Sequence, residues 1–331
     1  MTVAWVVGSG GLLGSALGRV LAGHDTTLFT PAERFRWQSV PERERQIGEA
    51  VRAFASRIGA GERWELYWAA GVGSMGSLEA NLAEETRALA HLLDLLLREA
   101  NLRAAPAAVA FASSAGSIYA GATEPIISER SSPSPNTPYA RAKLEQEEIV
   151  TAFARAHGKS TALIARLSTL YGPGQSHGKP QGLIAHIARA LVRNQPVRIY
   201  VPLDTVRDYL AADDAAAAMF KALEALAALA AVRTQGAGSA VLTKIFASER
   251  PTTIAEIVAV FRRIARRAPR IITSASRLSA LYPRRMRFAS VAARELSRPP
   301  RVSLLVGVSE VLAAERALFA RGAAPERRRT P

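Results

Sequence analysis

Short apolar runs alternate with amphipathic stretches over the first 250 residues, and this alternation constrains the fold more than any other feature. The predicted strands are residues 3–7, 26–30, 64–70, 107–112, 161–167, 197–201 and 241–247. The predicted helices are residues 12–21, 41–60, 78–100, 138–157, 183–194 and 213–231. Apolar strands separated by helices are typical of a parallel sheet whose two faces are both covered. The sequence therefore predicts an α/β fold built on a doubly wound parallel sheet, with right-handed crossovers.

The rhythm of strands and helices changes in the C-terminal half of the chain. At ~100–200 residues per domain, a chain of 331 residues is expected to form about two domains. We expect a larger, discontinuous domain made of residues 1–175 and 196–247. Residues 176–195 and 248–322 are expected to form a smaller, mostly helical domain, followed by a basic tail at residues 323–331.

The composition excludes several classes of protein. The chain has no cysteine and only five scattered histidines. Disulfide frameworks, cysteine nucleophiles and zinc–thiolate sites are therefore excluded, and no metal site is expected. No stretch has the length and hydropathy of a membrane span or the pattern of an export signal. We expect a soluble cytoplasmic protein that does not contact a membrane.

The net charge of +15 is concentrated at the C-terminal end. From residue 251 onward there are 17 arginines, no lysine and five glutamates. Such a region can serve nucleic acid, an acidic surface or a phosphate-bearing ligand, or can be a solvated surface in an arginine-rich chain. Because it has few aromatic residues and no recognisable nucleic-acid motif, nucleic-acid binding is not expected.

Gly8, Gly11 and Gly14 are spaced three residues apart. They follow the first predicted strand and lead into the first predicted helix. Glycine permits a tight turn and lets the backbone approach a pyrophosphate, while the helix N-terminus supplies N–H donors and a partial positive charge. The pattern predicts an NAD(P) site. The expected cofactor-binding residues of this loop are Gly8, Ser9, Gly10, Gly11, Leu12, Leu13 and Gly14.

The end of the second predicted strand bears on which dinucleotide binds. A dinucleotide site usually has an acidic residue there, which grips the adenosine ribose. Residues 28–34 instead read Leu-Phe-Thr-Pro-Ala-Glu-Arg. With no carboxylate at the expected place, Arg34 can pair with a 2′-phosphate, which favours NADP over NAD. In the alternative, Glu33 takes the carboxylate role and the arginine faces solvent.

A tyrosine and a lysine four residues apart form the candidate catalytic pair. Tyr139 and Lys143 lie near the start of a predicted helix, so the phenol and the ammonium group share one face. A tyrosine with its ordinary pKa of ~10 is a poor base near neutral pH. A lysine cation and the positive nicotinamide of an oxidised cofactor both favour the phenolate, which can take a proton from a substrate hydroxyl. Ser114, at the end of a predicted strand, is expected to orient the reacting oxygen.

These residues together resemble the extended short-chain dehydrogenase/reductases, and within them the NAD(P)-dependent epimerase/dehydratase group that acts on nucleotide sugars. The resemblance runs in family order from residue 3 to about residue 265. Besides the glycine loop, the segments that carry it are residues 68–71 (Trp-Ala-Ala-Gly), 111–119 (Phe-Ala-Ser-Ser-Ala-Gly-Ser-Ile-Tyr), 138–144, 166–174 (Arg-Leu-Ser-Thr-Leu-Tyr-Gly-Pro-Gly), 207–210 (Arg-Asp-Tyr-Leu) and 251–254. It implies a Rossmann-type fold whose smaller domain binds the substrate.

The resemblance also implies a role for each residue of the site. Tyr139 would be the acid/base, Lys143 its partner and a ribose ligand, and Ser114 the residue that positions the hydroxyl. The substrate would be a nucleotide sugar, and the protein would form a homodimer through the helices near 78–100 and 138–157. Further cofactor residues would be Ala69, Ala70 and Leu167, and further substrate residues Ser117 and Arg207, with Arg207 on a substrate diphosphate.

Several choices stay open at the level of the sequence. A one-residue change of register would give the serine role to Ser113 or Ser117 instead of Ser114. The motif set as a whole favours an epimerase or oxidoreductase, whereas the indication of NADP favours an NADPH-dependent keto-sugar reductase. A non-catalytic NAD(P)-binding regulator is a further alternative, although both Tyr139 and Lys143 are present. No Thr-Asp-Glu follows the predicted strand that leads into Ser113 and Ser114, which we call the serine strand. The sequence motif that usually indicates a 4,6-dehydratase is therefore absent.

Overall fold

Strands and helices alternate through most of the chain. The computed structural model describes residues 2–59, 61–175, 182–233, 239–274, 283–296 and 300–322, so the predicted tail lies outside the described residues. The strands are β1 (Thr2–Val7), β2 (Thr26–Phe29), β3 (Arg63–Trp68), β4 (Ala107–Ser114), β5 (Ser160–Leu167), β6 (Thr169–Tyr171), β7 (Val197–Ile199), β8 (Val206–Ala211), β9 (Ala240–Phe246), β10 (Pro251–Thr253) and β11 (Ile271–Thr273). The helices are α1 (Leu12–Ala22), α2 (Val40–Ala55), α3 (Glu79–Arg98), α4 (Ala100–Ala104), α5 (Ala115–Ile118), α6 (Pro138–His157), α7 (Leu183–Val192), α8 (Ala212–Arg233), α9 (Ile254–Ala265) and α10 (Leu304–Ala320). Within these ranges no helix combines the length and the hydropathy needed to cross a bilayer.

The larger part of the chain is organised around a six-stranded sheet. Its strand order is β2-β1-β3-β4-β5-β9, and every neighbouring pair is parallel. The prediction of a doubly wound parallel sheet is confirmed. The chain builds from β1 to β2 in one direction and from β3 onward in the other, so the order reverses between β1 and β3. In sheets of this kind, ligands bind at the carboxyl edge beside that reversal.

Strand β1 shows why these strands are apolar without alternation. Val3, Trp5 and Val7 pack into a core on one face of the sheet, together with residues of α2, α3 and α6. Ala4 and Val6 pack on the other face with residues of α1 and α8. Because both faces are covered, a polar side chain in the strand would have to be buried at a cost. This burial is the reason that short apolar runs predicted the strands.

The predicted helix 78–100 is interrupted near its end. Helix α3 stops at Arg98, Glu99 has an extended backbone (φ −74°, ψ 114°), and the short helix α4 follows. Helix α4 buries Leu102, whose backbone oxygen accepts a hydrogen bond from the indole N–H of Trp64 at 3.0 Å. The break therefore comes from a contact with a distant strand, which the helical period of the sequence does not reveal.

A further core lies in the C-terminal part, separate from the two cores of the main sheet. It is formed mainly by α7, α9 and α10, with buried residues such as Ile187, Phe261 and Val311. A buried ion pair between Arg189 of α7 and Glu315 of α10, at 2.9 Å, also joins two of these helices. Two small sheets adjoin this core, because β7 pairs with β11, and β8 pairs with β6 and β10. We call the core formed by α7, α9 and α10 the helical core below.

Replacing Gly14 with Ala tests the packing of the first helix. A Cβ atom there would lie 2.1 Å from the backbone oxygen of Gly8, and backbone atoms cannot move aside cheaply. We expect a loss of about 3 kcal/mol or more in the free energy of unfolding, measured by urea denaturation. Gly18→Ala in the same helix is the matched control, because its Cβ meets nothing within 4 Å. It should stabilise by about 0.5–1 kcal/mol, and equal stabilities for the two variants would contradict the structure.

Candidate active site

A cleft of about 1190 Å³ opens at the carboxyl ends of the main-sheet strands. Segments that follow β1, β3, β4 and β5 form one wall, and residues of α7, β7 and β8 form the other. The cleft brings together most of the residues that the sequence predicted for a site. Those that line it are Gly10, Gly11, Leu12, Leu13, Ala69, Ala70, Ser113, Ser114, Ser117, Tyr139, Lys143, Leu167 and Arg207. Gly8, Ser9, Gly14 and Arg34 lie outside this lining.

The glycine loop between β1 and α1 is shaped by close backbone packing. Gly8 has φ +90°, and a Cβ atom there would lie 2.6 Å from the backbone nitrogen of Ala70. Gly14, in α1, packs against the backbone of Gly8. Gly11 caps α1 without a side chain that could accept the N–H groups of the first turn. The helix start therefore offers backbone donors and a positive dipole end beside the cleft, an arrangement that fits a dinucleotide pyrophosphate.

Arg34 lines a second cavity of about 730 Å³, which lies past the end of β2. Its side chain is exposed. The neighbouring Glu33 accepts hydrogen bonds from Gln46 at 2.8 Å and Arg45 at 3.0 Å. These two bonds lower the pKa of the Glu33 carboxyl. The Glu33 carboxylate, which could have bound a ribose, is thus hydrogen-bonded to two side chains of α2. Arg34, in contrast, lines a cavity.

Helix α6 carries Tyr139 and Lys143 to the cleft. Thr137 caps the helix, accepting a hydrogen bond from the backbone N–H of Ala140 at 3.2 Å, and Pro138 occupies the first helical position. Because Tyr139 directly follows Pro138, this helix start sets the direction of the Tyr139 side chain. Lys143 follows one turn later, with its Nζ 5.8 Å from the centre of the tyrosine ring.

The surroundings of this pair favour a neutral phenol. Burial raises the pKa of Tyr139 above its usual range, the carboxylate of Glu85 raises it further, and a hydrogen bond with Ser114 lowers it. Burial lowers the pKa of Lys143 to about 8, against the opposite influence of the carboxylates of Glu85 and Glu147. The expected phenolate is therefore not favoured by the protein alone, because loss of solvent and the charge of Glu85 outweigh the influence of Ser114.

Lys143 is buried and held by neutral groups. Its Nζ donates a hydrogen bond to Oε1 of Gln146 at 3.0 Å and a longer one to the backbone oxygen of Ala112 at 3.4 Å. It also lies 5.0 Å from the centre of the Phe111 ring. Gln146 in turn donates to the hydroxyl of Thr86 in α3 at 3.1 Å. The end of β4 and the neighbouring helix α3 thus position the lysine.

The three candidate serines make different contacts. Ser114 lies close enough to Tyr139 to lower the pKa of its phenol. Ser113 is buried and donates to Oε1 of Glu147 at 2.5 Å. Ser117 is also buried and donates to the backbone oxygen of Ser114 at 3.3 Å. Among the three, Ser114 alone influences the pKa of the tyrosine.

A buried ion pair supports the end of the serine strand. Arg166 donates to the carboxylate of Glu147 from Nε at 3.0 Å and from Nη2 at 2.6 Å. Its Nη1 donates to the hydroxyl of Tyr119 at 2.5 Å. Because Ser113 donates to the same carboxylate, the network joins β4, β5 and α6. It fixes the backbone immediately before Ser114.

Sequence reasoning missed Glu85, a residue of α3 that lines the cleft. Its Oε1 accepts hydrogen bonds from the backbone N–H groups of Val72 and Gly73, each at 2.7 Å. Gly73 packs on Tyr139, since a Cβ there would lie 3.1 Å from two ring carbons. A signal was available: Glu85 stands three residues after the buried Leu82, at the edge of the buried stripe of the helix.

The far wall of the cleft is basic. Arg193, Arg198, Arg207 and His186 all line it. Tyr200 lies on the same wall and is 50% exposed, which is high for a large aromatic side chain. This wall therefore combines positive charge with an accessible ring face.

The sequence also matches a known family. A sequence model of the NAD dependent epimerase/dehydratase family matches residues 4–234. The chain belongs to this family. The matched region runs from β1 through α8 and includes the glycine loop, the serine strand and the helix of Tyr139 and Lys143. The resemblance inferred from the motifs is thereby confirmed.

Curated relatives match a limited part of the chain. A dTDP-L-rhamnose 4-epimerase of Burkholderia thailandensis is 32% identical over 100 residues, which are 30% of this chain and 27% of that protein. A putative UDP-glucose 4-epimerase of Methanocaldococcus jannaschii is 29% identical over 115 residues, 35% of this chain and 37% of that protein. The chain thus matches between a quarter and two fifths of the length of these relatives.

Solved structures share nearly the whole fold. RMD from Pseudomonas aeruginosa, complexed with NADPH, has a TM-score of 0.74 and 20% identity, over 96% of this chain and 99% of that one. UDP-glucose 4-epimerase from Thermotoga maritima, with UDP-glucose, has a TM-score of 0.74 and 20% identity, over 96% and 100%. At this identity the likeness establishes the fold, a Rossmann-type sheet with a smaller C-terminal part.

Replacing Glu147 with Gln tests the buried network. The variant leaves the guanidinium of Arg166 buried without its carboxylate, so we expect a loss of about 3 kcal/mol in the free energy of unfolding. Glu145→Gln, an exposed position on the same helix, is the control and should change stability by less than about 0.5 kcal/mol. Chemical denaturation of both variants gives the comparison. Similar small losses in both would mean that the pair does not support the strand.

Proposed function

We propose that the chain is an NAD(P)-dependent oxidoreductase or epimerase that acts by hydride transfer on a nucleotide-linked sugar. The observation that carries this proposal is the grouping of Tyr139, Ser114 and Lys143 in the cleft beside the glycine loop. Membership of the NAD dependent epimerase/dehydratase family supports it. The names of the matched epimerases support a nucleotide sugar as the substrate class.

Three side chains would handle the reacting oxygen and its proton. Ser114 hydrogen-bonds that oxygen and orients it toward Tyr139. Tyr139 gives its proton to the oxygen in reduction and takes one from it in oxidation. Lys143 is close enough for its positive charge to stabilise the phenolate that remains after donation. The bound dinucleotide supplies or accepts the hydride.

The two walls of the cleft support separate binding of cofactor and substrate. Residues 10–13, with Ala69, Ala70 and Leu167, would hold the dinucleotide along the sheet edge. On the basic wall, Arg207 would contact the substrate diphosphate, for which a guanidinium group has suitable bidentate geometry. The exposed ring face of Tyr200 suits stacking with a nucleobase. The sugar would then lie between the walls, next to Tyr139.

Two observations favour NADPH-dependent reduction of a keto sugar within this class. Glu33 is hydrogen-bonded to Gln46 and Arg45, whereas Arg34 lines the cavity past β2 together with Arg36, and a guanidinium group suits a 2′-phosphate. In addition, the protein favours the neutral phenol of Tyr139, which is the proton donor that reduction needs. An epimerase would use the same residues in both directions within one turnover.

We also propose a cytoplasmic homodimer. Helices α3 and α6 pack side by side on one face of the main sheet, as the family resemblance requires for pairing of two copies. Nucleotide sugars and reduced dinucleotides are metabolites of the cytoplasm, which supports that location. Sedimentation equilibrium measures the assembly directly.

Tyr139→Phe tests the assignment of the proton donor. The variant keeps the ring that packs on Gly73 but lacks the hydroxyl, so we expect about a thousand-fold loss of turnover with unchanged dinucleotide affinity. Turnover is followed by absorbance of NAD(P)H and by NMR of UDP- and dTDP-linked hexoses and their keto forms. Wild-type rates in the variant would overturn the site. Failure of the native protein to bind either dinucleotide would overturn the enzyme itself.

Arg34→Ala tests the cofactor preference. Loss of a charge-assisted contact with a 2′-phosphate should weaken NADPH binding about tenfold or more and leave NADH binding unchanged, as measured by calorimetry. Arg57→Ala, an exposed position at the end of α2, is the control and should alter neither affinity. Denaturation of the purified protein and mass spectrometry of any released dinucleotide provide a second measurement. Retained NAD would contradict the role of Arg34.

A further inference from the structure

Glu85 brings a negative charge into a cleft that otherwise holds neutral and basic groups. Among the described residues that line the cleft, it is the only carboxylate. A carboxylate there opposes the binding of phosphate-bearing ligands. Its hydrogen bonds to Val72 and Gly73 need only an oxygen acceptor, which a neutral amide side chain would also provide. The charge itself therefore calls for an explanation.

The charged groups that face Tyr139 come from two helices. Helix α3 supplies Glu85 and α6 supplies Lys143. Glu147, which pairs with Arg166, also raises the pKa of Lys143. Tyr139 packs on an apolar cluster that includes Met75, Ile118 and Met286. Glu85 accepts a hydrogen bond from the backbone N–H of Gly73, which packs on the Tyr139 ring, so its charge lies beside the tyrosine.

Burial acts in opposite directions on the two groups of the pair. It favours the neutral phenol of Tyr139, but it also favours the neutral amine of Lys143. Glu85 raises the pKa of both groups, so it supports the phenol and counters the loss of the ammonium proton. Glu85 is thus the carboxylate that acts on both protons, and Glu147 adds to its effect on Lys143.

We propose that Glu85 is a positioning residue that keeps the Tyr139–Lys143 pair loaded with protons, as a neutral phenol beside an ammonium group. This inference rests on the proposed hydride-transfer function. In ketone reduction the carbonyl π bond breaks, its carbon gains the hydride that the reduced dinucleotide supplies, and its oxygen gains the proton of Tyr139. The phenolate regains a proton from Lys143 or from water. Glu85 thereby extends reduction to higher pH.

Glu85→Gln removes the charge and keeps an oxygen that can accept both loop hydrogen bonds. The chain has five lysines, so labelling their Cε atoms with ¹³C gives few NMR signals, and Lys143→Met assigns the relevant one. In the native protein this signal should titrate near the pKa of about 8. In the variant we expect the midpoint to fall by about one pH unit.

Two matched variants separate charge from structure. Glu84→Gln removes the adjacent carboxylate, which pairs with Arg43 and Arg87 outside the cleft lining, and should leave the midpoint unchanged. Glu85→Asp keeps the charge and should restore the native midpoint to within about 0.3 pH units. An unchanged midpoint in folded Glu85→Gln, or an equal fall in Glu84→Gln, would overturn the proposal. If Glu85→Gln does not fold, Glu85→Asn, which also keeps an amide oxygen, should show the same fall.

The pH profile of reduction gives a second measurement. The pH at which kcat/KM for reduction falls to half should be about one unit lower in Glu85→Gln than in the native protein. The NMR titration needs neither substrate nor cofactor. Complete absence of hydride transfer in the native protein would therefore overturn the proposed function, whereas an unshifted Lys143 signal would overturn the role of Glu85.

Discussion

The structure depends on a backbone contact at which β1, β3 and α1 meet. Gly8 lies against the backbone at Ala70, and Gly14 lies against Gly8, at distances that leave no room for a Cβ atom. These contacts set how closely α1 approaches the sheet and where the reversal between β1 and β3 opens. The cleft edge, the helix start beside it and the register of the neighbouring strands follow from that geometry. The side chains of the candidate site lie on a backbone arrangement that requires glycine at these positions.

The chemistry of the cleft is set by competition between burial and charge. Removing water from Tyr139 and Lys143 favours neutral forms of both, and fixed charges decide how far each group follows that tendency. The ion pair of Glu147 and Arg166 contributes rigidity with little net charge. The pair fixes the end of β4, while the protonation of Tyr139 and Lys143 depends on Glu85 of α3 and, for the lysine, also on Glu147.

Much of the architecture could be predicted from local patterns, because both faces of the main sheet are buried and its strands are therefore apolar throughout. The grouping of Tyr139, Lys143 and Ser114 could be predicted as well, since strand ends and helix starts meet at one edge of such a sheet. Helical spacing could place Glu85 at the edge of a buried stripe, but its contacts could not be predicted, because its partners lie in a loop before its helix and on another helix. The break at Glu99 and the contacts that distinguish Ser113 from Ser114 depend on equally distant residues. Contacts of this kind carry no periodic signal in the sequence.

The helical core has a consequence for how such a protein can change over evolutionary time. Its buried residues are distinct from those of the two main-sheet cores, yet α7 and β7 contribute part of the basic wall of the cleft. Substitutions in α7, α9 or α10 can therefore reshape that wall while Ser114, Tyr139 and Lys143 keep the contacts that position them. Lineages built on this frame can acquire new ligands by diverging in one half of the molecule while conserving the other.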